Sequence, residues 1–155
     1  MTEQWILRPM TEEDLPQILA IEEASFPDPW SEEGFLQSLN APASLCLVAV
    51  DAQKIAGYCI FYSVLDEAEL LNVAVAQECR GRGLGEAMLR EALQSLMQQG
   101  VRHFYLEVRQ SNEIALSMYK KLGFRTDFVR EGYYERPRED AVVMSFHKEE
   151  NRGSR

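Results

Sequence analysis

The sequence predicts an α/β fold of the α+β kind, in which helices flank a mixed sheet. Three observations predict it. Seven short runs are rich in Val, Ile, Leu and aromatic residues or alternate apolar with polar, as strands do. Four segments between them read as helices, the first and last from helical spacing of their apolar residues and the others from a cap or a glycine stop. The 155 residues hold no repeat, low-complexity tract or Pro/Gly/Ser linker, which suits one domain over residues 1–147 and a polar, frayed tail over 148–155.

The elements follow in order. Residues 5–8 read as a strand. Leu15, Ile18, Leu19 and residues 22–24 then keep helical spacing, and Pro16 is tolerated only in a first turn, so this helix starts near Asp14. The run Phe26-Pro27-Asp28-Pro29-Trp30 breaks it. Ser31 is a good N-cap for a second short helix, with Glu32 and Glu33 at its positive end. Residues 45–50, 55–64 and 69–75 read as strands, and Gly57 inside the second suggests a bulge. A long helix over about 84–99 stops at Gly100. On the next strand Phe104, Leu106 and Val108 share one face, and His103, Tyr105, Glu107 and Arg109 the other. A helix over about 113–122 ends at Gly123, and strands near 124–130 and 141–147 close the chain. The order is β-α-α-β-β-β-α-β-α-β-β.

Composition narrows the function classes. The net charge of −9 argues against a broad phosphate-binding surface for nucleic acid. It suits solubility, or attraction to a basic protein or peptide. No apolar stretch approaches the roughly 18 residues of a membrane span. The start, Met1-Thr2-Glu3-Gln4, carries no basic segment leading into an apolar run, so a cytoplasmic protein is expected. Cys46, Cys59 and Cys79 form no C-x-x-C pair and lie far in sequence from His103 and His147, so no metal site is expected. Cys46 and Cys59 could face each other across a hairpin turning at 51–54, as buried thiols rather than a bridge.

The sharpest local feature is Arg80-Gly81-Arg82-Gly83-Leu84-Gly85, between a strand and the long helix. Glycines let backbone N–H groups converge, the helix N-terminus adds partial positive charge, and the arginines add full charges: the makings of a pyrophosphate cradle. A P-loop is excluded because no Gly-Lys-Ser/Thr follows, and a dinucleotide fingerprint because it would need glycine at Glu86 or Met88. An ordinary glycine-rich turn remains the plain alternative.

Read with its neighbours, the segment resembles the coenzyme A loop of the GNAT acetyltransferases, Arg/Gln-x-x-Gly-x-Gly/Ala, through Arg80, Gly83 and Gly85. The likeness extends over most of the chain and looks closest to the RimI family. It is carried by Phe26-Pro27-x-Pro29-Trp30-Ser31, by the run from Asp66 to Val75, by Leu106-Glu107-Val108-Arg109-x-Ser111-Asn112, by Ala115-x-x-x-Tyr119-x-x-x-Gly123-Phe124, and by Tyr133-Tyr134 with Arg138-Glu139-Asp140-Ala141.

The resemblance implies a mixed, mostly antiparallel sheet splayed near its middle, with acetyl-coenzyme A entering the splay. It implies that Glu107 is the general base and Tyr119 the general acid toward the leaving thiolate. It assigns coenzyme contacts to Val73, Ala74, Val75, Arg80, Gly81, Arg82, Gly83, Leu84, Gly85 and Asn112, and acceptor contacts to Trp30, Tyr133 and Tyr134, the last two in a loop between the final strands. Each has a plain alternative: Glu107 paired with Arg109 or His103, Tyr119 as a core aromatic, Asn112 as a helix cap, Trp30 as a hydrophobic staple. RimI-family enzymes acetylate the N-terminal alanine of a small-subunit ribosomal protein, so the implied partner is a basic protein N-terminus, met by a monomer. Acetylation of a lysine side chain or small-molecule amine stays open, as does a non-catalytic module that binds acetyl-coenzyme A.

Overall fold

The computed structural model describes residues 4–149. Strand β1 (Trp5–Pro9) leads through a short 3-10 turn to α1 (Leu15–Ser25) and α2 (Glu32–Asn40). Three strands follow, β2 (Ser44–Asp51), β3 (Lys54–Val64) and β4 (Glu67–Val75), then α3 (Leu84–Gln98), β5 (His103–Arg109), α4 (Glu113–Lys121), β6 (Arg125–Glu135) and β7 (Arg138–His147). The predicted order of elements is the observed one.

The seven strands form one sheet in the order β1-β2-β3-β4-β5-β7-β6. Every neighbouring pair is antiparallel except β4 with β5. That parallel pair is registered only from Glu67↔His103 to Glu69↔Tyr105. Beyond Glu69 the two strands part, and the sheet opens.

Each face of the sheet carries a core. On one, α3 and α4 pack Leu84, Met88, Leu89, Leu93, Leu96 and Tyr119 against Phe61, Phe104 and Leu106. On the other, α1 and α2 pack Leu15, Ile18 and Phe35 against Val48, Tyr58 and Ile60. Asp14, just before α1, accepts two bonds from Arg8 at 2.8 and 2.9 Å and one from the Thr11 amide at 2.8 Å, which ties β1 to the helix start.

Two expectations change. Cys46 pairs with Ile60 and Cys59 with Leu47, a one-residue offset that sends the two thiols to opposite faces of the sheet. They do not face each other. Tyr133 and Tyr134 sit in β6 rather than in a loop, because the hairpin runs on to Glu135↔Arg138. A register shift between Arg130 and Tyr134 interrupts that ladder. The Gly132 amide there donates to Asp140 Oδ1 at 2.8 Å. Of the tail expected over 148–155, residues 150–155 lie outside the described residues; Lys148 N–H donates to the Arg102 carbonyl.

Gly57 does sit beside a register shift, where Ala49 pairs with Gly57 and Val50 with Ile55. A Cβ there would lie 2.9 Å from the Ala74 carbonyl oxygen, so glycine also serves a close approach of β3 to β4.

Candidate active site

Where β4 and β5 part, a cavity of about 1170 Å³ opens between the two halves of the sheet. Val73–Val75 form one wall; Leu106, Glu107 and Val108 form the other. The glycine loop and the first turn of α3 close one end, and α4 contributes Tyr119 and Met118. The turn from Phe26 to Trp30 and the β6–β7 turn flank the mouth.

The β4 wall presents backbone donors. Ala76 N–H donates to the Ala56 carbonyl at 2.8 Å. Alternation along an antiparallel pair then turns the Val75 and Val73 amides to the other edge, toward the opening. An extended thioester arm laid along that edge would meet free N–H groups.

Gly81 and Gly83 both adopt left-handed backbone angles, φ 79° and 77°. A Cβ at either would meet nothing within 4 Å, so the conformation, not crowding, selects glycine there. Gly83 is the N-cap of α3, and no side chain caps this helix end. Its first-turn amides are therefore available to an anion. Gly85 answers a different need: its Cβ would come within 3.2 Å of Met118 Sδ and 3.4 Å of Val75 Cγ2. Arg80 lines the cavity, but its guanidinium is engaged, donating to the Val75 carbonyl at 3.0 Å and to Ser25 Oγ at 2.8 Å. Leu84 lies in the core and touches the cavity from below; Arg82 does not line it.

Glu107 holds the centre of the opposite wall. Its carboxylate accepts a bond from the Tyr133 hydroxyl at 3.0 Å and stands 3.5 Å from Arg130 Nε. Neither Arg109 nor His103 pairs with it. Arg109 turns instead to the β6–β7 turn, donating to the carbonyls of Pro137 and Arg136 at 2.9 and 3.0 Å and to Glu139 at 3.2 Å. It also stacks 4.3 Å over the Tyr134 ring. Glu69 projects from the same face of the sheet as Glu107, and desolvation, then the Glu107 charge, raise its pKa above the ordinary carboxylate value.

Tyr119 is 5% exposed and packs its ring 5.9 Å from Phe124, so it is a core aromatic as well as a cavity residue. Burial raises its phenol well above the ordinary value, with Tyr134 adding to the effect, and the proton stays on oxygen at neutral pH. Tyr134 also lines the cavity, and burial followed by the Glu107 charge pushes it up to about 12. Tyr133 does not line the cavity; it reaches Glu107 from behind.

Asn112 caps α4 by accepting from the Ala115 amide at 3.2 Å, and it lines the cavity too. Trp30 likewise has both features: its ring sits 5.2 Å from Phe35, the staple of residue N′ to N4 around the Ser31 cap, and it faces the cavity mouth.

Two features were missed in the sequence. Glu22 is 1% exposed, lines the cavity and accepts from Tyr58, Asn72 and the Trp30 amide. Its signal was its place on the stripe of Leu15 and Ile18. Asp28 and Arg136 approach to 3.5 Å between the two flanking turns, and no sequence pattern announces that pair. Among the described residues no group of three or more His, Cys, Asp or Glu is placed to hold a metal, and no helix is long and apolar enough to cross a membrane.

Comparison with known proteins bears on the family and the fold. Residues 15–124 match the model of the acetyltransferase (GNAT) family. The [ribosomal protein bS18]-alanine N-acetyltransferase of Escherichia coli K12 is 37% identical over 134 residues, covering 85% of this chain and 90% of that one. Its counterpart in Salmonella typhimurium is 38% identical over 135 residues, with 85% and 90% covered. The crystal structure of the ribosomal-protein-S18-alanine N-acetyltransferase from Escherichia coli superposes with a TM-score of 0.88 at 33% identity, covering 96% of this chain and 97% of that one. The chain belongs to the GNAT family of acetyltransferases.

Proposed function

We propose that this acetyltransferase moves the acetyl group of acetyl-coenzyme A onto the N-terminal α-amine of a protein, and that the acceptor is the N-terminal alanine of ribosomal protein bS18. The observation that carries the reading is a single cleft in which a carboxylate, a protonated phenol, outward-turned strand amides and an uncapped glycine-rich helix start converge. The names shared by the Escherichia and Salmonella relatives support the acceptor.

The residues present suit acetyl-coenzyme A. Left-handed glycines with open space above them and the free amides of α3 would take the pyrophosphate, with Arg80, Arg82 and Asn112 nearby. Val73, Ala74 and Val75 would hold the pantetheine arm as an added strand. When bound, the coenzyme supplies an activated acetyl carbonyl.

The chain's own groups then do the rest. An α-amine has a pKa of about 8 and arrives mostly protonated near pH 7. Glu107 takes one proton, through water, and frees the lone pair for direct attack in a ternary complex. The amides near Val75 stabilise the developing oxyanion. Tyr119 protonates the departing sulfur. Tyr133 orients the Glu107 carboxylate, and Trp30 and Tyr134 grip the short peptide. No covalent enzyme intermediate is required of Cys79, which ends the turn before the glycine loop. The enzyme acts as a cytoplasmic monomer and without nucleic acid.

The test is thiol release from acetyl-coenzyme A with two peptides of the bS18 N-terminal sequence, both keeping an internal lysine and one blocked at its α-amine. Turnover of the free peptide alone is expected. Turnover of both would replace this reading with lysine acetylation. Turnover of neither would replace it with a small-molecule acceptor or a coenzyme-binding module.

A further inference from the structure

Glu22 lies in the last turn of α1, 1% exposed, and among the described residues no lysine, arginine or histidine pairs with it. Three donors from three other segments converge on its carboxylate. Tyr58 of β3 donates its hydroxyl to Oε1 at 2.6 Å. Asn72 of β4 donates Nδ2 to the same oxygen at 2.9 Å. The backbone amide of Trp30 donates to Oε2 at 2.9 Å. Two of these groups can only donate, so the site is built for an acceptor with both oxygens free: a carboxylate.

The donors are not scattered. Trp30 belongs to the turn at the cavity mouth. Asn72 directly follows Leu71, the residue left over where β3 pairs Phe61 with Leu70 and Ile60 with Asn72. Leu71 lines the cavity, and so do Trp30 and Asn72. One buried charge thus joins the acceptor turn to the bulged stretch of β4. A bulge re-aims the side chains around it, and a turn held by one amide moves when that bond is lost.

We infer that Glu22 is a positioning residue for the acceptor side of the cleft: its carboxylate seats the turn carrying Trp30 and the bulge carrying Leu71, and thereby sets how tightly the acceptor peptide is held. The inference rests on the reading of Trp30 as an acceptor contact. Glutamine at this position keeps the shape but replaces one acceptor by an N–H₂ group. Either that group confronts the Trp30 amide, donor against donor, or Asn72 must flip to receive it. Both outcomes disturb the acceptor wall. Among the described residues the hydrogen bonds of Glu22 go to Tyr58, Asn72 and Trp30 and not to the glycine loop or the start of α3; the loop reaches α1 separately, through Arg80 to Ser25 Oγ at 2.8 Å.

The test uses full-length protein and compares Glu22→Gln with Tyr58→Phe, which removes a donor to Glu22 without touching the turn. Glu22→Gln is expected to raise the KM for the free-α-amine peptide at least fivefold while the KM for acetyl-coenzyme A stays within twofold. Tyr58→Phe is expected to lower the melting temperature yet leave the peptide KM within twofold. An unchanged peptide KM in Glu22→Gln overturns the inference. So does a rise in both KM values that simply follows the melting temperature through both variants. Hydrogen exchange on the wild-type protein gives a variant-free check: the Trp30 amide is expected to be strongly protected, and exchange at the rate of an open turn would overturn the latch. If the wild-type protein fails to turn over the peptide, the acceptor reading falls, while the exchange measurement still decides the latch.

Discussion

Replacing Gly57 by alanine probes a close backbone approach in the sheet at the point where it forms the cleft wall. The new Cβ would stand 2.9 Å from the Ala74 carbonyl oxygen and 3.5 Å from Met88 Cε. The methionine end can swing away; the carbonyl belongs to the β3–β4 ladder and cannot. Gly57 is not among the glycines with positive φ, so alanine is conformationally permitted. On that ground alone it would stabilise by about 0.4–1 kcal/mol, by restricting the unfolded chain. Overpacking a well-filled site costs about 1–3 kcal/mol. The steric term wins, by roughly 1 kcal/mol at the centre of these ranges. For a domain of this size that lowers Tm by about 2–4 °C. The strain falls on Ala74, next to the Val73 and Val75 amides, so the KM for acetyl-coenzyme A is expected to rise as well. Thermal melts by circular dichroism and thiol-release kinetics read the two effects. A Tm at or above that of the wild type would refute the reasoning, because the unfolded-state gain would then exceed the clash.

Other outcomes follow from the same geometry. Glu107→Gln is expected to cut turnover by about 10²–10⁴-fold, most at low pH, with acetyl-coenzyme A binding close to normal by titration calorimetry; lost coenzyme binding with intact chemistry would contradict the assigned role. Tyr119→Phe is expected to cost toward the low end of about 10²–10⁴-fold, since a thiolate already leaves readily. Burial raises the Tyr119 and Tyr134 phenols, so their neutral forms favour folding; that stability is present below the ordinary tyrosine value and is lost as pH rises above about 10, visible in alkaline melts. Asp14 behaves oppositely: the Arg8 hydrogen bonds lower its pKa, so its contribution is present above the unfolded value of about 4 and lost as pH falls below it. Asp14→Asn should therefore destabilise at pH 7 and flatten the acid limb of a Tm–pH curve. Burial pushes Cys59 up to about 12 and also raises Cys46, so both should resist alkylation in the folded protein, as mass spectrometry of native and denatured samples would show.

Much of this enzyme was legible before folding. Apolar runs, alternation on β5, helical spacing in α1 and α4, and a cap or glycine stop for α2 and α3 located most of the elements, because an element that buries one face repeats its apolar residues with its own geometry. Ser31 and Asn112 were readable as caps, since an N-cap needs a short polar side chain at one position. The glycine loop was readable because left-handed backbone angles select glycine. Glu107 and Tyr119 emerged only with the resemblance, as spacing alone made one a surface carboxylate and the other a core aromatic.

What the sequence determined by itself is what local geometry dictates: periodicity, caps, turns and the class of the loop at 80–85. What only the tertiary structure decided is which distant groups meet. Glu22 finds partners 8, 36 and 50 residues away, and Arg80 reaches Ser25 across 55. A one-residue register offset puts Cys46 and Cys59 on opposite faces, and the lengthened β6–β7 hairpin brings Tyr133 to Glu107 rather than into a free loop. Such contacts depend on register and on the splay of β4 from β5. Those are properties of strand pairing between segments far apart in the chain, and no local pattern encodes them.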